Sequence, residues 1–141
     1  MNSATLEDLE RLERLEELIV ELQTLADSGA IIVVEGRKDT ESLRFLGIKG
    51  EISLASQQPL LEFAELLSRS RKEIVLLTDW DKKGGIVARK IIHHLLTFGI
   101  MPNTDIRSRI RALTKKRIKD IESLNSYVNK LRYELHGVTR F

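Results

Sequence analysis

Three acids stand out by position: Glu35, Asp79 and Asp81. Glu35 follows the run Ala30-Ile31-Ile32-Val33-Val34, and the aspartates follow Ile74-Val75-Leu76-Leu77 closely. Buried strands of a parallel sheet read as continuous apolar runs. Ligands of open α/β sheets gather beyond the carboxyl ends of such strands. In extended backbone, residues two apart point to the same side, so Asp79 and Asp81 are expected to share a cation. Clustered carboxylates raise one another's pKa unless positive charge offsets them. The chain has no cysteine and three histidines, so a metal here would be oxygen-ligated, which favours magnesium or manganese over zinc. Such an ion stabilises charge on a phosphodiester undergoing displacement. Glu35 is placed either to ligate it or to act as general acid/base.

The neighbours suit a phosphate. Gly36, Gly84 and Gly85 let backbone approach an anion and open helices whose N-termini attract one. Arg37, Lys38, Lys82 and Lys83 flank the acids and match phosphate oxygens. Acids at helix starts also serve as caps, and for Asp39, or Asp81 alone, that reading has equal standing. Ser56-Gln57-Gln58 follows another strand end on the same lip. Trp80, between the aspartates, is expected to face away from them, packing on the core or forming a lip over the site rather than stacking on a base. Arg107, Arg109 and Arg111, with Lys115, Lys116 and Arg117, make a basic strip suited to a nucleic-acid backbone, or a charged edge that discourages aggregation.

The elements that must hold these residues follow from periodicity. Leucines recur every three to four residues from Leu6 to Leu25, an amphipathic helix capped by Thr5 or Ser3 and ended at Ser28-Gly29. Strands are expected at 30–34, 52–55 and 74–77. A fourth is expected at 105–111, where isoleucine and arginine alternate. Helices are expected at 40–45, 59–68, 86–98 and from about 115 or 118 to 136, with a loose tail from Val138 to Phe141. Alternating strands and helices predict a parallel sheet with right-handed crossovers. The expected organisation is an N-terminal helix over 1–28, an α/β domain over 29–112 and a helical extension over 113–141.

The whole chain, 141 residues with 42% hydrophobic and 31% charged, is the size of one ordinary domain. No apolar run reaches the roughly 20 residues that cross a bilayer. The lack of cysteine points to a reducing cytoplasm. The net charge of +2 is unevenly spread. Residues 1–28 carry eight acids and two bases, net −6, and residues 105–141 ten bases and four acids, net +6. That polarity suits polyanion binding at the tail or pairing of head with tail inside the molecule. The leucine-rich helix is expected to pack on the domain, or to meet a protein partner or a second copy.

VVEGRKD followed by a helix, then LTDWDKKGG, resembles the two signatures of the Toprim domain, found in type IA topoisomerases, bacterial-type primases, OLD-family nucleases and ribosomal RNA maturases. The chain is most similar to the stand-alone, primase-like archaeal members over about residues 29 to 111, and Lys119–Leu124, KDIESL, resembles that group too. The resemblance implies a compact Rossmann-like fold with a four-stranded, mainly parallel sheet flanked by helices, here with extra N- and C-terminal helices. It implies magnesium-dependent nucleotidyl transfer or strand cleavage on DNA or RNA, with Glu35 as the catalytic acid/base and Asp79 and Asp81 as magnesium aspartates. Gly36 and Gly84 match the motif glycines. The further acid that topoisomerases carry after their aspartate pair is replaced by Lys82-Lys83-Gly84. The tyrosine-bearing domain of a topoisomerase and the zinc-binding region of a primase have no counterpart, so those complete activities are not expected.

Overall fold

A computed structural model describes residues 5–136. The order is α1 (Leu6–Asp27), β1 (Ile31–Val34), α2 (Arg37–Phe45), β2 (Ile52–Leu54), a 3-10 turn (Ala55–Gln57), α3 (Leu60–Arg69), β3 (Ile74–Leu76), α4 (Lys82–Thr97), α5 (Asp105–Thr114) and α6 (Leu124–His136). The strands form a parallel sheet in the order β2-β1-β3, with Ile32 opposite Ile52 and Val75. The central strand β1 is buried along its whole length, as its unbroken β-branched run requires.

Successive side chains on a strand point to opposite faces, and the core divides accordingly. Ile32, Val34, Val75 and Leu77 pack with Leu43 and with α1, α5 and α6. Ile31, Val33, Ile74 and Leu76 pack with Phe63, Ala64 and Leu67 of α3 and Ala88, Ile91 and Leu95 of α4. Helices therefore cover both sides of the sheet, and the carboxyl ends of β1 and β3 open at one rim.

Helix α1 starts at a reciprocal cap: the Asp8 N–H donates to Thr5 Oγ1 and the Thr5 N–H to Asp8 Oδ2. Ser3 lies outside the described residues, as does the tail expected from Val138. Leu12, Leu15, Leu18, Ile19 and Leu22 of α1 are all buried. Each such side chain contributes about 1.5–3 kcal/mol, against about 5–15 kcal/mol for a whole domain. The apolar face of α1 is thus part of this chain's own core. Among the described residues the acidic head meets the basic tail in two ion pairs, Arg109–Glu21 at 2.9 Å and Arg132–Glu16 at 2.8 Å.

The fourth strand expected over 105–111 is absent among the described residues; that segment begins α5. The isoleucine pair is ambiguous, because Ile106 and Ile110 share a face in a strand and, four apart, also in a helix. Both are 1% exposed. What remains of a fourth strand is a single parallel bridge between Asn103 and Val75, with the Leu76 N–H donating to Asn103 O. The last helix starts later than expected, at Leu124, so 115–123 is a connecting segment that crosses the rim. Among the described residues no helix is long and apolar enough to cross a membrane.

Candidate metal and phosphate site

Glu35 leaves the end of β1 and accepts the Asp79 N–H on Oε2 at 2.9 Å. This one bond joins two strand ends 44 residues apart. From the opposite side the Ile121 N–H donates to Asp79 Oδ1 at 2.9 Å. The connecting segment is itself tied down: the Trp80 N–H donates to Lys119 O and Trp80 Nε1 to Ile118 O. The indole packs on the core, as its position between the aspartates suggests. Below, Arg107 donates from Nε to Thr78 O and from Nη2 to Asp79 O, both at 2.7 Å. Asp79 is thus held by β1, α5 and the segment before α6 at once.

A cleft of about 660 Å³ opens over this arrangement. Glu35, Gly36, Arg37, Lys38, Asp79 and Lys83 line it, together with Asp39, Ser56, Gln58 and Glu122. Of the residues singled out in the sequence, Asp81, Lys82, Gly84, Arg107 and Arg109 do not. Asp81 is the N-cap of α4 and accepts the Gly84 N–H at 2.6 Å. Gly84 is required for fit: a Cβ there would overlap the Asp79 carbonyl. Nothing crowds the corresponding position at Gly36. Arg107 is half-buried under the cleft, and Arg109 is paired with Glu21 and Asp105. The continuous arginine strip therefore does not form, since helical geometry turns Arg107 inward and its neighbours outward.

Sequence reasoning missed how many carboxylates the rim gathers. Asp39, weighed equally as a cap and as a functional acid, is one: its Oδ2 accepts the Gly36 N–H at 3.0 Å, and it also lines the cleft and lies in the field of Glu35, Asp120 and Glu122. Burial first, and those three charges after it, raise the Asp39 pKa. Glu122 comes from the segment before α6, in the KDIESL stretch, whose family likeness was the only available signal. Asp79 is displaced furthest. Burial, then the charges of Asp39 and Glu35, push its carboxyl from the ordinary 3.8 to about 7, against the opposing Ile121 hydrogen bond.

That imbalance tests whether a divalent cation suits the site. The carboxylates of the cleft form no ion pair among the described residues, and oxygen donors are the right chemistry for a hard ion. Magnesium needs only one or two protein carboxylates, with water and substrate oxygens completing its shell. Glu35 and Asp79 supply that pair. Among the described residues no three His, Cys, Asp or Glu side chains close around a common point, so this is a partial, open donor set.

Parallel strands, helices on both faces and a carboxylate cleft at the strand ends define an α/β protein with an acidic site at the rim of its sheet. The chain belongs to the Toprim domain family, whose model matches residues 30–121. Its relatives include the UPF0292 protein of Methanosarcina barkeri, 48% identical over 122 residues that cover 86% of this chain and 85% of that one. The UPF0292 protein of Methanocaldococcus jannaschii is 45% identical, covering 86% and 94%. A solved structure of an Aquifex aeolicus protein superposes with a TM-score of 0.66 at 27% identity, covering 77% of this chain and 96% of that one.

Proposed function

We propose that the chain acts on nucleic-acid phosphodiesters with the help of magnesium, or manganese in its place, as a nuclease or a nucleic-acid processing factor. The observation that carries this reading is the joined pair of Glu35 and Asp79, with the Asp79 carboxyl raised to about 7, opening on a cleft rimmed by Arg37, Lys38 and Lys83. Membership of the Toprim family supports it. Glu35 and Asp79 would hold the ion, which supplies charge stabilisation to the phosphate. Arg37, Lys38 and Lys83 bind and orient the phosphate oxygens. Alternatively, with Asp79 holding the ion, the Glu35 carboxylate would take a proton from the attacking oxygen or return one to the leaving oxygen. Arg107 and the Ile121 N–H keep the Asp79 segment fixed while this happens.

The test is a panel of labelled single- and double-stranded DNA and RNA with magnesium, manganese or chelator, read for binding and cleavage. Metal-dependent cleavage lost in Asp79→Asn and Glu35→Gln is expected; full activity in Asp79→Asn would overturn the assignment. A second reading, a non-catalytic nucleic-acid-binding or ribonucleoprotein subunit, is favoured by Asp81 capping α4 through Oδ1. It requires unchanged affinity in chelator and no cleavage with any metal.

A further inference from the structure

A second groove lies on the far side of the cleft's wall. It has a volume of about 630 Å³ and runs between α3 and α4. Leu60 lines both the cleft and this groove, so the two adjoin across that side chain. The floor is apolar: Leu60, Leu61 and Ile86, of which Leu61 is 52% and Ile86 38% exposed. The rim is basic: Arg89, Lys90 and His93. Lys83, Ile86, Lys90 and His93 recur at helical spacing, so one face of α4 carries the ammonium groups of Lys83 and Lys90 from the cleft along the groove.

The charge on this face is not neutralised. Helix α4, KKGGIVARKIIHHLLT, contains no acid. Among the described residues Lys82, Lys83, Arg89 and Lys90 form no ion pair. On α3, Glu65 is paired with Arg69, and neither Glu62 nor Glu65 lines the groove. By contrast Arg109 and Arg132, in the tail that looked most basic in the sequence, are committed to Glu21 and Glu16.

We infer that the α3–α4 groove is a track for single-stranded nucleic acid leading into the cleft. An apolar floor flanked on its α4 side by unpaired cations fits a chain with flat apolar faces and an anionic backbone. A duplex would offer its phosphates but not its base faces, whereas unpaired bases reach the floor and phosphates reach the rim. Lys83 and Lys90, seven residues apart, are separated by about 10 Å along the helix. A short oligonucleotide therefore occupies the cleft, and a longer strand continues onto Arg89, Lys90 and His93. This inference rests on reading the cleft as a phosphodiester site, and its test separates the two.

The experiment measures fluorescence anisotropy with labelled single strands of 3 and 12 nucleotides, as DNA and as RNA, and with a 12-base-pair duplex. Each is titrated in magnesium and in chelator. The 12-mer single strand should bind at least tenfold tighter than the trinucleotide and than the duplex. Arg89→Glu combined with Lys90→Glu should abolish that gain with length and flatten the salt dependence by more than one counterion. Leu61→Ser should weaken the 12-mer several-fold without changing the salt slope, because it removes only floor. Circular dichroism melting confirms that these surface variants fold. If the 12-mer binds no tighter than the trinucleotide, if the duplex binds as well, or if the double variant keeps the gain with length, the track is refuted. Loss of all metal dependence and cleavage, with the length gain intact and sensitive to Arg89 and Lys90, would refute the phosphodiester chemistry of the cleft and leave the track standing.

Discussion

Asp79→Asn separates the role of Asp79 in the fold from its role as a charge. In the folded chain its carboxyl titrates at about 7 rather than 3.8, chiefly because it is buried. The native state therefore holds the proton more tightly than the unfolded state. The stabilisation this gives is fully present below about pH 4 and is lost as pH rises through 7. Above that pH, without metal, the ionised carboxylate is a cost. At full value the displacement corresponds to about 4 kcal/mol; solvent in the open cleft screens it to about 1–2 kcal/mol. Asparagine carries no charge and keeps an oxygen to accept the Ile121 N–H. In chelator at pH 8 the variant should be more stable than the parent by about 1–2 kcal/mol, several degrees in Tm for a chain of this size. At pH 4 the two should coincide. Magnesium should then stabilise the parent at pH 8 by mass action and leave the variant unmoved. Urea denaturation at both pH values, with and without magnesium, reads all four states. A variant less stable than the parent at pH 8 in chelator, or one that still gains stability from magnesium, would refute the reasoning.

Other substitutions test the scaffold. Gly84→Ala should cost about 1–3 kcal/mol through overlap with the Asp79 carbonyl, whereas Gly36→Ala should cost less than about 1 kcal/mol; equal effects in thermal melts would contradict the geometry. Arg107→Ala should cost about 2–4 kcal/mol, since two charge-assisted hydrogen bonds hold the Thr78 and Asp79 carbonyls, while Arg109→Ala stays within about 0.5 kcal/mol because its pairs are exposed; chemical denaturation distinguishes this from a uniform arginine strip. Trp80→Phe should cost about 1 kcal/mol for the bond to Ile118 O and, by loosening the segment that carries Ile121, reduce magnesium affinity measured by calorimetry.

The strands and the Glu35–Asp79 encounter were legible because a buried strand leaves a run of apolar, β-branched residues, and β1 does so without interruption. The 105–111 segment was not legible as helix, since Ile106 and Ile110 satisfy both periods and the intervening Ser108 and Arg107 discriminate neither. Asp81 shows a different limit. In one dimension it is indistinguishable from Asp79, but a single N–H, that of Gly84, turns it into a cap. Asp39 and Glu122 were hidden for the opposite reason: nothing local to either reveals that α2 and the segment before α6 converge on the same cleft. Those contacts are long-range, like the Asn125 N–H on Ser42 Oγ that joins α6 to α2 at 3.1 Å.

Formal charge along the chain offered the basic tail either to a polyanion or to pairing with the acidic head, and the fold commits part of that charge. Arg107 is spent beneath the cleft on two carbonyls, Arg109 on Glu21 and Asp105, and Arg132 on Glu16. Each surface pair contributes at most about 1 kcal/mol to stability, so their larger consequence is electrostatic: the acidic head offsets Arg109 and Arg132, while Arg111, Lys115, Lys116 and Arg117 form no ion pair among the described residues. Helix α4 has no such counterweight. Its lysines look like an appendage of the aspartate motif in the sequence, yet they begin an unneutralised face that starts at the phosphate rim and extends down the α3–α4 groove. A polyanion drawn by the summed field would meet positive charge on α4 directly beside the cleft, as well as on the tail. Reversing Arg89 and Lys90 should therefore slow association and lower affinity for single strands far more than reversing Arg109, which would also release Glu21, and the ratio of those two effects measures where the positive potential resides.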